Sequence, residues 1–213
     1  MLTVHHLGKS QSERIVWLCE ELGIPYTLQH HVRDPVTGFS PPELRALTPM
    51  GAAPVIQDGD LTLPETMAVI EYILTTYRDG GLVVRPDQPG WRDYLYWLHF
   101  ANGSLQPVMG RNAILRRAKL PDDAPLVVNT KERLHRAFSH VDNRLAASAF
   151  LGADRLTVAD IVAVFSLTTM RYFMPVDLSP YPNIRAYLQR IGALEGYRRA
   201  MAKSDPGMEL LLT

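Results

Sequence analysis

Short extended runs alternate with amphipathic helical runs through the first 80 residues, and beyond a Gly-, Pro- and Asp-rich stretch only helical periodicity remains. Leu2–Leu7 reads as a strand. Ser12–Leu22 reads as a helix offering Ile15, Val16, Leu18, Cys19 and Leu22 to a core. Gly23-Ile24-Pro25 stops that helix, and Tyr26–His31 resumes an extended run. A connection from Asp34 to Pro42 leads to a short helix at Glu43–Leu47. Val55-Ile56 and Leu61-Thr62-Leu63 flank the tight-turn signal Asp58-Gly59-Asp60 and predict a hairpin. Pro64-Glu65-Thr66 then opens a helix with Met67, Ile70, Leu74 and Tyr77 as its expected buried stripe.

The order β-α-β-α-β-β-α, with a mixed four-stranded sheet, is that of a thioredoxin-like α/β domain. Asp79–Pro89 reads as an interdomain linker. The boundaries expected are a first domain at 1–80, a linker at 81–89 and an all-α bundle at 90–213. In the bundle, Trp91, Tyr94, Leu95 and Leu98 form a helical stripe, continued by Ala101, Leu105 and Met109, with a kink expected at Pro107. Leu134, Phe138, Val141 and Leu145 form a second stripe. Thr157-Val158-Ala159-Asp160 has the spacing of a capping box with Asp in the Glu or Gln position. The apolar run Ile161–Leu167 that follows predicts the central buried helix. Tyr181-Pro182 and Leu194 mark two terminal helices.

Composition narrows the functional classes. The 213 residues carry 22 basic and 22 acidic side chains, so no charge excess favours nucleic acid or an anionic membrane as partner. The N-terminus lacks the apolar core of a signal peptide, and no stretch approaches the ~18 apolar residues of a membrane span; a cytoplasmic protein is expected. One cysteine excludes an internal disulfide or a CxxC pair, and Cys19 reads as a small core residue. His5-His6 and His30-His31 do not read as metal ligands, because adjacent strand residues point to opposite faces.

The chemistry concentrates between Ala52 and Thr66. Pro54 at the mouth of a strand leaves the Ala53 N–H and C=O unclaimed by a neighbouring strand. With a cis Ala53–Pro54 bond, that amide turns outward toward an extended peptide ligand. The first N–H groups of the helix at Thr66, together with its hydroxyl, make an anion-binding end. A peptide-pairing edge beside a carboxylate-binding helix start suits a small anionic peptide, the pattern that glutathione-binding proteins use. Ser10 and Ser12 lie between the first strand and first helix, either as hydroxyl donors to an anion or as helix caps.

Five segments taken together, HHLGKSQSERIVWLCEELGIPY, P-x-G-x-x-P-V-I at 49–56, P-E-T-x-A-V-I-E-Y-I at 64–73, LHFANGSLQP at 98–107 and LTVADI at 156–161, resemble the cytosolic glutathione S-transferases along the whole chain. The first and fourth look most like the bacterial and fungal branch related to yeast-type transferases. The resemblance implies glutathione as co-substrate, no metal, a homodimer, and attack of the glutathione thiolate on a small hydrophobic electrophile or a peroxide. Glutathione-dependent disulfide or peroxide reduction, and a non-catalytic ligand-binding role, are the alternatives. By resemblance Ser10, with Ser12 as alternative, meets the thiolate. Glu65 and Thr66 hold the γ-glutamyl end, and Ala53 with Pro54 presents backbone to the cysteinyl part. Lys9, Asn102, Gln106, Tyr172 and Phe173 face the second substrate. A free thiol with pKa near 8.5 is only about 3% ionised at pH 7, and lowering it by about two units requires about 2.7 kcal/mol of preferential thiolate stabilisation. Three positions depart from the pattern. Ala52 stands where many relatives have Lys, so the charge that meets the glycyl carboxylate is either missing or comes from His31, Lys9 or Arg45; Lys9 replaces an Asn; and Asn102 replaces a Glu.

Overall fold

The computed structural model describes all 213 residues, which divide into two compact units. The first comprises Met1–Gly80 with Ala193–Glu209, the second Gly81–Gly192 with Leu210–Thr213.

In the first unit, β1 (Thr3–Leu7), β2 (Thr27–His31), β3 (Val55–Asp58) and β4 (Leu61–Pro64) form one sheet in the order β2-β1-β3-β4. The β1–β2 pair is parallel, and β1–β3 and β3–β4 are antiparallel. Val4, His5, His6 and Leu7 of the central β1 are all buried. The hairpin turns at Gly59, whose φ of 57° is open to glycine at little cost. Pro64 falls on edge strand β4, where a missing N–H is tolerated.

Three helices precede the helical unit: α1 (Glu13–Leu22), α2 (Pro42–Arg45) and α3 (Thr66–Thr76). Nine of the ten residues of α1 are buried, including Glu13, Arg14 and Glu20, beyond the apolar stripe read from sequence. The last helix, α9 (Glu195–Ser204), packs on α1 and covers Trp17 and Glu20, so it belongs to the first unit although it was expected with 90–213. Trp17 and Tyr197 meet edge to face at 4.9 Å, and Glu20 binds Arg199, Lys203 and Tyr26. On α3 the buried face is Thr66, Val69, Ile70 and Ile73 rather than the Met67–Leu74–Tyr77 side. Both faces are apolar in sequence, so periodicity alone could not choose between them.

The second unit contains α4 (Trp91–Phe100), α5 (Gln106–Ala118), α6 (Pro125–Ala147), α7 (Val158–Leu167) and α8 (Pro182–Ala193). It contains no strand. All ten residues of α7 are buried, as its uniformly apolar sequence predicts. Asp160 secures its start: the carboxylate accepts the Thr157 N–H and O–H, the Leu151 N–H and the Tyr187 O–H. Between α4 and α5 the expected Pro107 kink takes the form of a π-turn over Ala101–Leu105, in which the Gln106 N–H bonds to the Ala101 carbonyl. Pro107 has no N–H for a carbonyl one turn back, and the widened turn adjusts the ladder immediately before it. No helix is long and apolar enough to cross a membrane.

Candidate functional site

The turn from β1 into α1 is held from outside. Lys9 takes a φ of 52°, and its N–H bonds to Asp205 Oδ1 at 3.0 Å, just beyond α9. Arg33 Nε donates to the Gly8 carbonyl at 3.0 Å. This fixes Ser10 and Ser12. Ser12 is fully buried, and its Oγ accepts the Leu7 N–H at 3.2 Å and lies 2.9 Å from His6 Nδ1. Ser10 is 7% exposed, with its Oγ 2.7 Å from Ser12 Oγ. Neither hydroxyl caps the helix; the N–H groups of Glu13, Arg14 and Ile15 bond to the carbonyls of Ser10, Gln11 and Ser12 instead. Ser12 is therefore enclosed by protein partners, whereas Ser10 keeps a small exposed surface.

A cleft of about 210 Å³ lies beside the neighbouring Gln11, lined among others by Gln11, Met50, Ala53, Pro54, Glu65 and Thr66 but not by Ser10 itself. The Ala53–Pro54 bond is cis. The Ala53 carbonyl accepts Gln11 Nε2 at 3.1 Å, and Gln11 Oε1 accepts Arg14 Nη1 at 3.2 Å. Burial pulls the Arg14 guanidinium down to about 9 against the opposing charge of Glu13. Glu65 precedes α3 with φ 75° and ψ 121°, a strained conformation for a residue with a side chain. Its carbonyl receives the first intrahelical bond, from Val69, leaving the earlier N–H groups at a positive helix end. Thr66 beside them is 4% exposed, and its Oγ1 is buried with no hydrogen-bond partner. Thr48 Oγ1, also against the cleft, is in the same condition. Buried hydroxyls are normally paired, so two orphans at one cleft mark a place for a polar ligand.

The remaining candidates fall elsewhere. Lys9 is exposed in the first unit, close to Ser10 in sequence but not lining the cleft. His31 is buried 2.9 Å from His5; burial and that neighbour lower its pKa, outweighing Glu43, so it is neutral near pH 7 and unsuited to attract a carboxylate. Arg45 is exposed and does not line the cleft. In the second unit, Asn102 lies on the π-turn and Gln106 opens α5, both half-buried. Tyr172 is half-buried and Phe173 is 41% exposed, while Met109 is enclosed in the core. Two clefts of that unit, one beside Asn112 and Met174 and one beside Phe100 and Arg111, contain none of Asn102, Gln106, Tyr172 and Phe173. His5 and His6 point to different partners, His5 to His31 and Gln57 and His6 to Ser12 and Asp205. Gln11, Thr48, His6 and Asp205 escaped the sequence reading. Gln11 stands next to Ser10, but its reach to Ala53 spans 42 positions.

Comparison with known proteins identifies the two domains. Residues 10–76 match the glutathione S-transferase N-terminal domain and residues 104–195 the glutathione S-transferase C-terminal domain. The crystal structure of a glutathione S-transferase from Actinobacillus pleuropneumoniae is 34% identical, covers 98% of this chain and 95% of its own, and superposes with a TM-score of 0.87. Glutathione S-transferase 3 of Schizosaccharomyces pombe is 27% identical across 96% of this chain and 88% of its own. Glutathione S-transferase 1 of Saccharomyces cerevisiae is 24% identical across 96% and 95%. With both domains matched and a relative a third identical along nearly the full length of each chain, the protein belongs to the glutathione S-transferase family.

Proposed function

We propose that this protein is a glutathione transferase whose first unit binds glutathione in the Ala53–Thr66 cleft and stabilises its thiolate at Ser10. The observation that carries the reading is the orphaned, buried Thr66 hydroxyl at the start of α3, beside strained Glu65 and cis Ala53–Pro54. That end suits the γ-glutamyl carboxylate, with Glu65 meeting the ammonium group. The Ala53 backbone suits the cysteinyl part, the incoming peptide taking over from the Gln11 amide. Ser10, 7% exposed at the turn, then supplies the hydroxyl beside the sulfur. The thiolate attacks a small hydrophobic electrophile or a peroxide, with proximity and thiolate stabilisation as the main sources of rate and no covalent enzyme intermediate. Cys19 is unsuited as a protein nucleophile, since burial, reinforced by Glu20, pushes its thiol up to about 12.

Residues 1–80, with α9 packed on them, form the tripeptide domain in this reading, and the second unit contributes the second-substrate pocket through Asn102, Gln106, Tyr172 and Phe173. The protein works in the cytoplasm as a homodimer, which light scattering would register as about twice the 23.9 kDa chain mass. The decisive assay measures glutathione binding by calorimetry alongside turnover on an aromatic halide, cumene hydroperoxide and a mixed disulfide. Turnover on at least one is expected. Absence of glutathione binding at millimolar concentration would defeat the proposal.

A further inference from the structure

Behind Ser10 runs an unbroken file of polar groups, all in the first unit. Ser10 Oγ lies 2.7 Å from Ser12 Oγ, Ser12 Oγ 2.9 Å from His6 Nδ1, and His6 Nε2 3.2 Å from Asp205 Oδ2. His6 and Ser12 are fully buried, and Ser10 is the outermost member of the file. Asp205 reaches His6 across 199 positions because α9 packs on α1.

We infer that this file is a proton relay, in which His6, oriented by Asp205, receives the proton of the bound thiol through Ser12 and Ser10. The inference rests on the reading of Ser10 as the thiolate's neighbour.

Hydrogen-bond direction carries the argument. The Asp205 carboxylate can only accept, so His6 Nε2 carries a hydrogen and donates to it. In neutral His6 the Nδ1 lone pair is then left to accept the Ser12 O–H. Ser12 has one hydrogen, already committed, so Ser10 must donate its own inward to Ser12 Oγ. In that state Ser10 Oγ, which also accepts the Ser12 N–H at 3.3 Å, has one lone pair, and no hydrogen, left for a ligand. A thiol at this position donates S–H to Ser10 Oγ. Transfer of three protons in line reverses every bond. The S–H, Ser10 O–H and Ser12 O–H bonds break; new O–H bonds form on Ser10 and Ser12, and an N–H bond forms on Nδ1. The products are a thiolate accepting the Ser10 O–H and an imidazolium held by the Asp205 carboxylate. No proton enters or leaves the protein.

The surroundings of the terminus fit that role. Besides Ser12 before α1 and Asp205 after α9, the titratable group facing His6 is His30 on β2, its ring edge-on at 5.7 Å, with His31 farther along that strand. Lys9 and Arg33 act on Asp205. Burial raises the Asp205 carboxyl, but the His6 hydrogen bond and charge and the Lys9 amide outweigh it, so the carboxyl lies below its ordinary value and is ionised at neutral pH. His6 and Asp205 act through the serines and are positioning residues; neither touches the sulfur.

The test is a proton inventory on the full protein at pH 7. Thiolate formed on glutathione binding is read by ultraviolet absorbance, and protons released by calorimetry in buffers of different ionisation enthalpy. In the wild type, thiolate should form with almost no proton released. His6→Asn keeps an acceptor near the Nδ1 position but cannot be protonated. It should raise the bound thiol's pKa by about one unit and release about one proton for each thiolate still formed. Asp205→Asn retains a carbonyl for the Lys9 amide, while its NH2 group forces the hydrogen of His6 onto Nδ1. It should likewise release about one proton per thiolate. Release of one proton per thiolate by the wild type, with Ser10→Ala abolishing the thiolate, would overturn the relay and leave Ser10 standing. A thiolate untouched by Ser10→Ala, or no thiolate in the wild type, would overturn both. The wild-type measurement decides even if a variant fails to fold.

Discussion

In the proposed site Ser10 and Thr66 both present a hydroxyl to one ligand, yet the work asked of each differs. As the proposed neighbour of the sulfur, Ser10 would meet charge that develops there, so Ser10→Ala should reduce turnover at pH 6.5 by roughly 10- to 1000-fold with much less effect on glutathione affinity. The bound thiol's pKa, followed by ultraviolet absorbance, should rise, and an unchanged titration would remove Ser10 from the chemistry. Thr66, in the same proposal, would face a carboxylate present before and after reaction. Thr66→Ala should weaken binding by about 1–3 kcal/mol, measured by calorimetry, with kcat largely retained. Wild-type affinity in that variant would move the tripeptide elsewhere. The positions of both residues, though not their roles, were legible in the sequence because each sits at a strand-to-helix junction defined by its immediate neighbours. Glu65 was legible in position but not in its φ of 75°, which local residue type disfavours and the surrounding fold imposes. Thr48, His6 and Asp205 gave no local signal, since each draws its meaning from a group distant along the chain.

The start of α7 shows what an element-level motif can specify. Thr157 and Asp160 three positions apart announced the cap, and the structure adds two donors that sequence does not place, the Leu151 N–H and the Tyr187 O–H. Burial raises the Asp160 carboxyl against all of these bonds. Asp160→Ala would leave the four donors buried without their acceptor, so the second unit should lose about 2–4 kcal/mol, read as a lowered urea midpoint. A midpoint unchanged from wild type would mean that water replaces the carboxylate. Pro107 illustrates the opposite case. Its missing N–H guarantees a disturbance, but whether the backbone bends or widens into a π-turn depends on packing around Ala101 and Leu105, both buried. The face of α3 was ambiguous for the same reason, two apolar stripes competing for one core.

Across the whole molecule, the largest feature hidden from a linear reading is the return of α9 to α1. Glu20 looks like the solvated side of an amphipathic helix until Arg199 and Lys203 of the second helix cover it. The interaction is strongly polar at its edge. Burial pushes the Glu20 carboxyl up, but hydrogen bonds from Lys203, Tyr26 and Arg199 prevail and hold it below its ordinary value. A carboxylate whose folded pKa is depressed contributes stability in full above its unfolded value, ~4.3, and loses it as pH falls through the lower folded value. Arg199 and Lys203 are about half exposed and can turn to water when the carboxylate is removed, which limits the cost. Glu20→Gln should therefore destabilise the protein by about 1–2 kcal/mol at pH 7, by urea unfolding. The gap between variant and wild type should narrow as pH falls below ~4, where protonation makes the wild-type side chain equally neutral. A gap that stays constant from pH 7 to the acid limit would show that shape, and not charge, holds α9 against α1.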